Sequence, residues 1–189
     1  MMERIAEAPP HPMARIIGGV YLLYFLTAVG AEVFVGRGRL VVYDAVNLIA
    51  HVLYIAMTLL FYYMFKPVNR RLSLLAAFFS LVGCANEVLG IFNLAPYRIS
   101  SLVFFGPWCL LIGYLIFRST FLPRILGVLM AFAGVGWLIF LSPLENRLST
   151  YLKVLGFVAE LSLCLWLLVM GVNIQKWEEK VSAWRVSGV

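Results

Sequence analysis

The chain has 189 residues, 63% of them hydrophobic and 13% charged, with a mean hydropathy of +0.95. A soluble domain carries about 45–50% apolar and about 25% charged residues, so this composition excludes an ordinary soluble domain and points to helices in a membrane. The formal charge of +6 is not a nucleic-acid signal, because the basic residues fall where apolar runs end, the place for topology and for contact with anionic lipid.

Residues 1–15 carry Glu3, Arg4, Glu7 and three prolines, and are read as a cytoplasmic N-terminal segment. They lack the basic start, short apolar stretch and small-residue cleavage site of a signal peptide, so the first apolar run is expected to be retained. Six apolar runs follow, at 16–36, 44–65, 72–94, 101–117, 125–141 and 152–174. Each is close to the roughly 17–25 residues that a membrane helix needs, and none alternates as a barrel strand would. Breaks such as Lys66-Pro67-Val68-Asn69 and Leu122-Pro123-Arg124 separate them. The expected fold is therefore all-α, a six-helix transmembrane bundle over residues 16–174. Threaded this way, ten Lys and Arg residues lie on the side of the termini and five on the other. The positive-inside rule then places both termini in the cytoplasm. Residues 175–189, with Trp177 and Trp184 among charges, read as an interfacial tail.

Gly106 and Gly113 on the fourth run, and Gly127, Ala131 and Gly134 on the fifth, are spaced for close helix contact. Pro107 is expected to kink the fourth helix. Cys84, Cys109 and Cys164 all sit in apolar runs without CxxC spacing and read as packing residues.

Ionisable residues inside the runs mark the candidate site. A charge at the bilayer centre costs roughly 2.5–3.5 kcal/mol on insertion scales, so Glu32, His51, Glu87 and Glu160 need partners or a function. On the second run Asp44, Asn47, His51, Tyr54 and Thr58 recur at spacings of 3 and 4, which places them on one helix face. The third run lines up Ser80, Gly83, Glu87 and Gly90 with Asn86 beside them, the sixth Gly156, Glu160 and Cys164, and the first Tyr21, Tyr24, Ala28 and Glu32. A rise of about 1.5 Å per residue puts Glu32 roughly 6 Å, His51 and Glu87 roughly 10 Å, and Glu160 roughly 12 Å below the outer ends of their spans, with Trp108 at a similar level. The expectation is a polar outer-leaflet pocket in which His51, Glu87 and Glu160 face one another, directly or through water, with Asn47, Tyr54, Asn86, Trp108 and Tyr24 as further ligand-binding residues. Plain structural readings stand beside it: His51 bonded to a carbonyl or to Asn47, Glu32 paired with Arg37 or Arg39, and Glu87 and Glu160 as hydrogen-bonding groups between helices. No HExxH or paired ligand motif is present, so neither a metal nor a cofactor is expected.

The segments Lys66-Pro67-Val68-Asn69-Arg70, Val103-Phe104-Phe105-Gly106, Phe121-Leu122-Pro123-Arg124-Ile125-Leu126-Gly127 and Glu160-Leu161-Ser162-Leu163-Cys164-Leu165-Trp166 resemble a family of bacterial integral membrane proteins, domain of unknown function 4386. The resemblance would cover about residues 15–173. It implies a multi-pass bundle in the bacterial inner membrane and no activity, with Arg124, Glu160, Trp166 and Asn173 as the matching motif residues. The leading functional reading is the binding of a lipid-like or hydrophobic small molecule in the outer-leaflet pocket. One alternative is an intramembrane isomerase or cyclase that uses Glu87 and Glu160 as catalytic acid and base on an isoprenoid or lipid substrate. A second is a structural subunit of a membrane complex. Membrane lipids are the expected partners in every case, with a homo-oligomer or a membrane-protein partner open.

Overall fold

An apolar segment that enters lipid finds no water for its backbone N–H and C=O groups, and the helix satisfies them within the segment. The computed structural model, which describes residues 10–35, 40–94, 100–142 and 145–187, has no strand among them. The helices are α1 (Pro10–Gly30), prolonged by a π-helical turn at Ala31–Val35, then α2 (Leu40–Phe65), α3 (Arg70–Ile91), α4 (Leu102–Ser119), α5 (Arg124–Ile139), α6 (Glu145–Val169) and α7 (Ile174–Ser187).

Among the described residues five helical segments are long and apolar enough to cross a membrane: Pro12–Val35, Val41–Phe65, Arg70–Ile91, Leu102–Ser119 and Leu148–Val169. They make this a multi-pass membrane protein. The fifth apolar run, expected over 17 residues at 125–141, forms the 16-residue helix α5. That is about 24 Å of rise against a hydrocarbon core of about 30 Å.

Local chemistry ends and starts the helices. The Asn69 side chain accepts a hydrogen bond from the Leu72 N–H at 3.0 Å and caps α3. Beyond α6, Gly171 takes a left-handed φ of 71°, and its N–H returns to the Trp166 carbonyl at 3.0 Å. The chain reverses there and starts α7 with a similar cap: the Asn173 side chain accepts from the Lys176 N–H at 3.1 Å.

From α1 to α6 each helix packs on the next, and α1 also packs on α6, so these six close into a ring. The most extensive contact is between α4 and α5, as their small residues lead one to expect. A Cβ on Gly113 would lie 2.7 Å from the Gly127 carbonyl oxygen, and one on Gly134 2.8 Å from that of Gly106. Pro107, inside α4, lacks the N–H that would bond to Val103. The ring is filled by Tyr21, Met57, Phe61, Trp108, Ile112 and Leu163, all buried. Leu23, Val52, Phe78, Phe132 and Val154 stay exposed on its outside, as lipid contact requires. The tail helix α7 docks back on the bundle through Trp177, only 6% exposed, with Val181 packed against the core one turn on.

Candidate functional site

Gly156, Glu160 and Cys164 recur every four residues on α6, and the structure turns this face toward α1 and α5. Tyr21 on α1 donates its hydroxyl to Glu160 Oε2 at 2.8 Å, and Trp137 on α5 donates its indole N–H to Oε1 at 3.3 Å. Gly156 makes room for that indole, since a Cβ there would overlap the Trp137 ring. One turn beyond Glu160, the Cys164 thiol donates to the Gly18 carbonyl at 3.4 Å, where a Cβ on Gly18 would meet the α6 backbone at 2.5 Å. The carboxylate is thus held between three helices, yet Glu160 keeps part of its surface accessible.

An aromatic cluster adjoins it. Tyr21 stacks on Phe25 at 5.0 Å and meets Phe61 edge-on at 6.1 Å. Tyr24 meets Tyr54 at 4.8 Å, and Tyr54 meets Phe105 and Trp108 at 5.3 and 5.5 Å. Tyr24, Tyr54 and Trp108, expected as pocket residues, therefore do meet, and Tyr24 is itself partly accessible.

The remaining expected site residues are held elsewhere. His51 Nδ1 lies 2.7 Å from the Asn47 carbonyl oxygen. A carbonyl can only accept, so Nδ1 carries the proton in this contact. The Asn47 amide donates to the Tyr43 carbonyl at 2.9 Å, and Thr58 bonds both the Tyr54 carbonyl and, at 2.5 Å, the Ser80 hydroxyl. Much of the polar stripe on α2 is thus satisfied one turn back along its own helix. Glu87 is exposed and accepts from the Ser101 hydroxyl, to which Asn86 donates at 3.3 Å. Gly83 is a slot for Phe105, whose ring lies 2.9 Å from where a Cβ would stand, whereas nothing lies within 4 Å of a Cβ on Gly90. Glu32 accepts from Tyr43, and its expected partners Arg37 and Arg39 lie outside the described residues.

None of His51, Glu87 and Glu160 hydrogen-bonds another directly; each has a separate set of direct partners. Nor do the four ionisable residues share one level. Glu160 bonds Tyr21, which stands about 16 Å of helix rise before Glu32 on α1. Helix α6 starts at Glu145, seven residues before the expected boundary at 152, which places Glu160 farther along its helix than the run alone implies. Tyr21, Trp137 and Ser101 were not singled out as site residues. Tyr21 lay on the α1 stripe with Tyr24, and Gly156 one turn before Glu160 was the trace of Trp137; Ser101 had no such trace.

At the end of the bundle where α7 docks, Phe121, Pro123, Arg124, Trp166, Gly171, Asn173 and Lys176 line a cleft of about 540 Å³. The Asn173 N–H bonds the Phe121 carbonyl at 3.0 Å and ties the α4–α5 turn to the α6–α7 turn. The family model described as Domain of unknown function (DUF4386) matches residues 97–171. An uncharacterized protein of Archaeoglobus fulgidus is 30% identical over 129 residues, which are 61% of this chain and 75% of that protein. The chain belongs to the DUF4386 family. No solved structure matches it. The family match is narrower than residues 15–173, and within it the DUF4386 segment holds Trp108, Arg124, Trp137, Glu160 and Trp166, but not Tyr24, His51 or Glu87. Arg124, Trp166 and Asn173, named from the resemblance, come together in the one cleft, and Glu160 stands apart from them at the helix junction.

Proposed function

We propose that this DUF4386 protein binds a lipid-like or other hydrophobic small molecule, with the polar group of the ligand directed to Glu160 and its apolar body against Tyr24, Tyr54 and Trp108. The observation that carries this reading is Glu160, a carboxylate inside the bundle bonded to Tyr21 and Trp137, on a residue that as a whole is not fully enclosed. A carboxylate that served only to join helices would gain most by complete enclosure, whereas a ligand needs one open side. Tyr24, whose ring lies 6.2 Å from that of Tyr21, is also partly accessible. In this reading α5 crosses as a short sixth span, the ten-to-five division of Lys and Arg puts the termini in the cytoplasm, and the protein sits in the cytoplasmic membrane.

The test is a mass-spectrometric inventory of small molecules that copurify with the full chain and with Glu160→Gln. A specific molecule retained by the first and lost from a folded second supports the reading. Equal retention by both overturns it.

A further inference from the structure

A second cleft, of about 480 Å³, lies where the α2–α3 turn meets the tail helix, lined by Lys66, Asn69, Arg70, Arg71, Lys180 and Trp184 among others. Four of its side chains are cations, and among the described residues that line it none is acidic. The Lys66 ammonium lies over the Trp184 ring, 4.9 Å from its centroid, and joins the two walls. Asn69 caps α3 here, so the positive end of that helix dipole adds to the same field. The first turn of a helix favours acidic residues, and α3 has none there but begins Arg70-Arg71. Like charges gathered around one cleft repel unless an anion lies between them.

The position of the cleft says which anion. From Arg71 the α3 positions three, four, seven and ten residues on are Leu74, Leu75, Phe78 and Leu81, all exposed and apolar. They form one stripe that starts one turn from the cations and runs up the helix. A cationic cleft with an apolar stripe leading from it matches a phosphate headgroup with acyl chains attached, and Trp184 is the residue type that settles at that boundary.

We propose that this cleft is a headgroup site for an anionic phospholipid of the leaflet on the side of the termini, with the phosphate between Arg70, Arg71, Lys66 and Lys180 and the chains along α3. The site is independent of Glu160, and it gives the tail helix a role: α7 supplies Lys180 and Trp184 as one wall, so the lipid holds α7 to the bundle.

Native mass spectrometry of the full chain with phosphatidylglycerol or phosphatidylcholine tests it. Phosphatidylglycerol binds more tightly, and Arg70→Gln with Arg71→Gln lowers its affinity about 10- to 30-fold. Lys180→Gln, on the tail and outside the bundle, lowers it in the same direction and serves where the double variant fails to fold. Arg118→Gln, a cation outside the cleft lining, leaves it unchanged. Equal binding of the two lipids, or full affinity in the Lys180 and double variants, overturns the proposal. So does displacement of the lipid by millimolar inorganic phosphate, which would make this a site for a free anion.

Discussion

At the scale of the residue, Glu160 shows how a membrane carboxylate is kept. Its two oxygens receive one donor each, from Tyr21 and Trp137. Interhelical polar contacts in bilayers are worth about 0.6–1.7 kcal/mol. Tyr21→Phe removes one donor and is expected to lower stability in detergent by about that amount, read from thermal unfolding. Glu160→Gln retains size and an acceptor oxygen, so it is expected to unfold within about 1 kcal/mol of the parent while small-molecule retention falls. Lost stability with retention intact would make Glu160 a structural residue. Gly156 can be tested separately, because its missing Cβ is what admits Trp137. Gly156→Val is expected to cost about 1–3 kcal/mol through overpacking, and less when Trp137→Ala has already emptied the slot.

At the scale of the element, the α4–α5 pair rests on backbones brought close by glycine. Any side chain at Gly113 or Gly127 meets a carbonyl oxygen at 2.7 or 2.6 Å, and backbone cannot step aside as a side chain can. Gly113→Leu is therefore expected to lower the thermal midpoint sharply and to expose α5 to protease. Gly19, on α1, has nothing within 4 Å of its Cβ direction, and Gly19→Ala is expected to be neutral or to stabilise by about 0.5–1 kcal/mol. A comparable loss at both positions would mean that helix propensity, and not close approach, governs these glycines. The α4–α5 spacing was legible in the sequence because small residues at intervals of about one and two turns have one geometric use. The exact ends of α5 were not: hydropathy marks what tolerates lipid, while Pro123 and the turn after Ile139 decide where α5 itself stops.

For the whole molecule, the ring of α1–α6 with α7 across one end makes the topology testable. In the six-span threading consecutive helices alternate in direction, which puts positions 40 and 145 at one end and Lys66, Asn69 and Pro123 at the other. Leu40→Cys or Glu145→Cys is expected to react with impermeant maleimide only from the outside of intact cells. Labelling of either from the cytoplasmic side would reverse the threading. The docked tail predicts a further result: Trp177→Ala, which empties a 6% exposed site, is expected to cost about 3–5 kcal/mol if α7 folds as one unit with the bundle, measured as thermal unfolding.

The sequence by itself determined the helical membrane class, five of the segments long and apolar enough to cross, the small-residue contact of α4 with α5, and the stripe that carries Glu160. These follow from composition and from the 3.6-residue period, which act within one segment. Tertiary structure decided the partners. Whether Glu160 met His51 and Glu87 or Tyr21 and Trp137 depended on α1 closing against α6 and on the level at which α6 begins. It also brought Lys66, Arg70 and Arg71 to Lys180 and Trp184, residues more than one hundred positions apart, in one cleft. Hydrophobic burial fixes which face of a helix turns inward, but only the packing of one helix against another fixes what that face will touch.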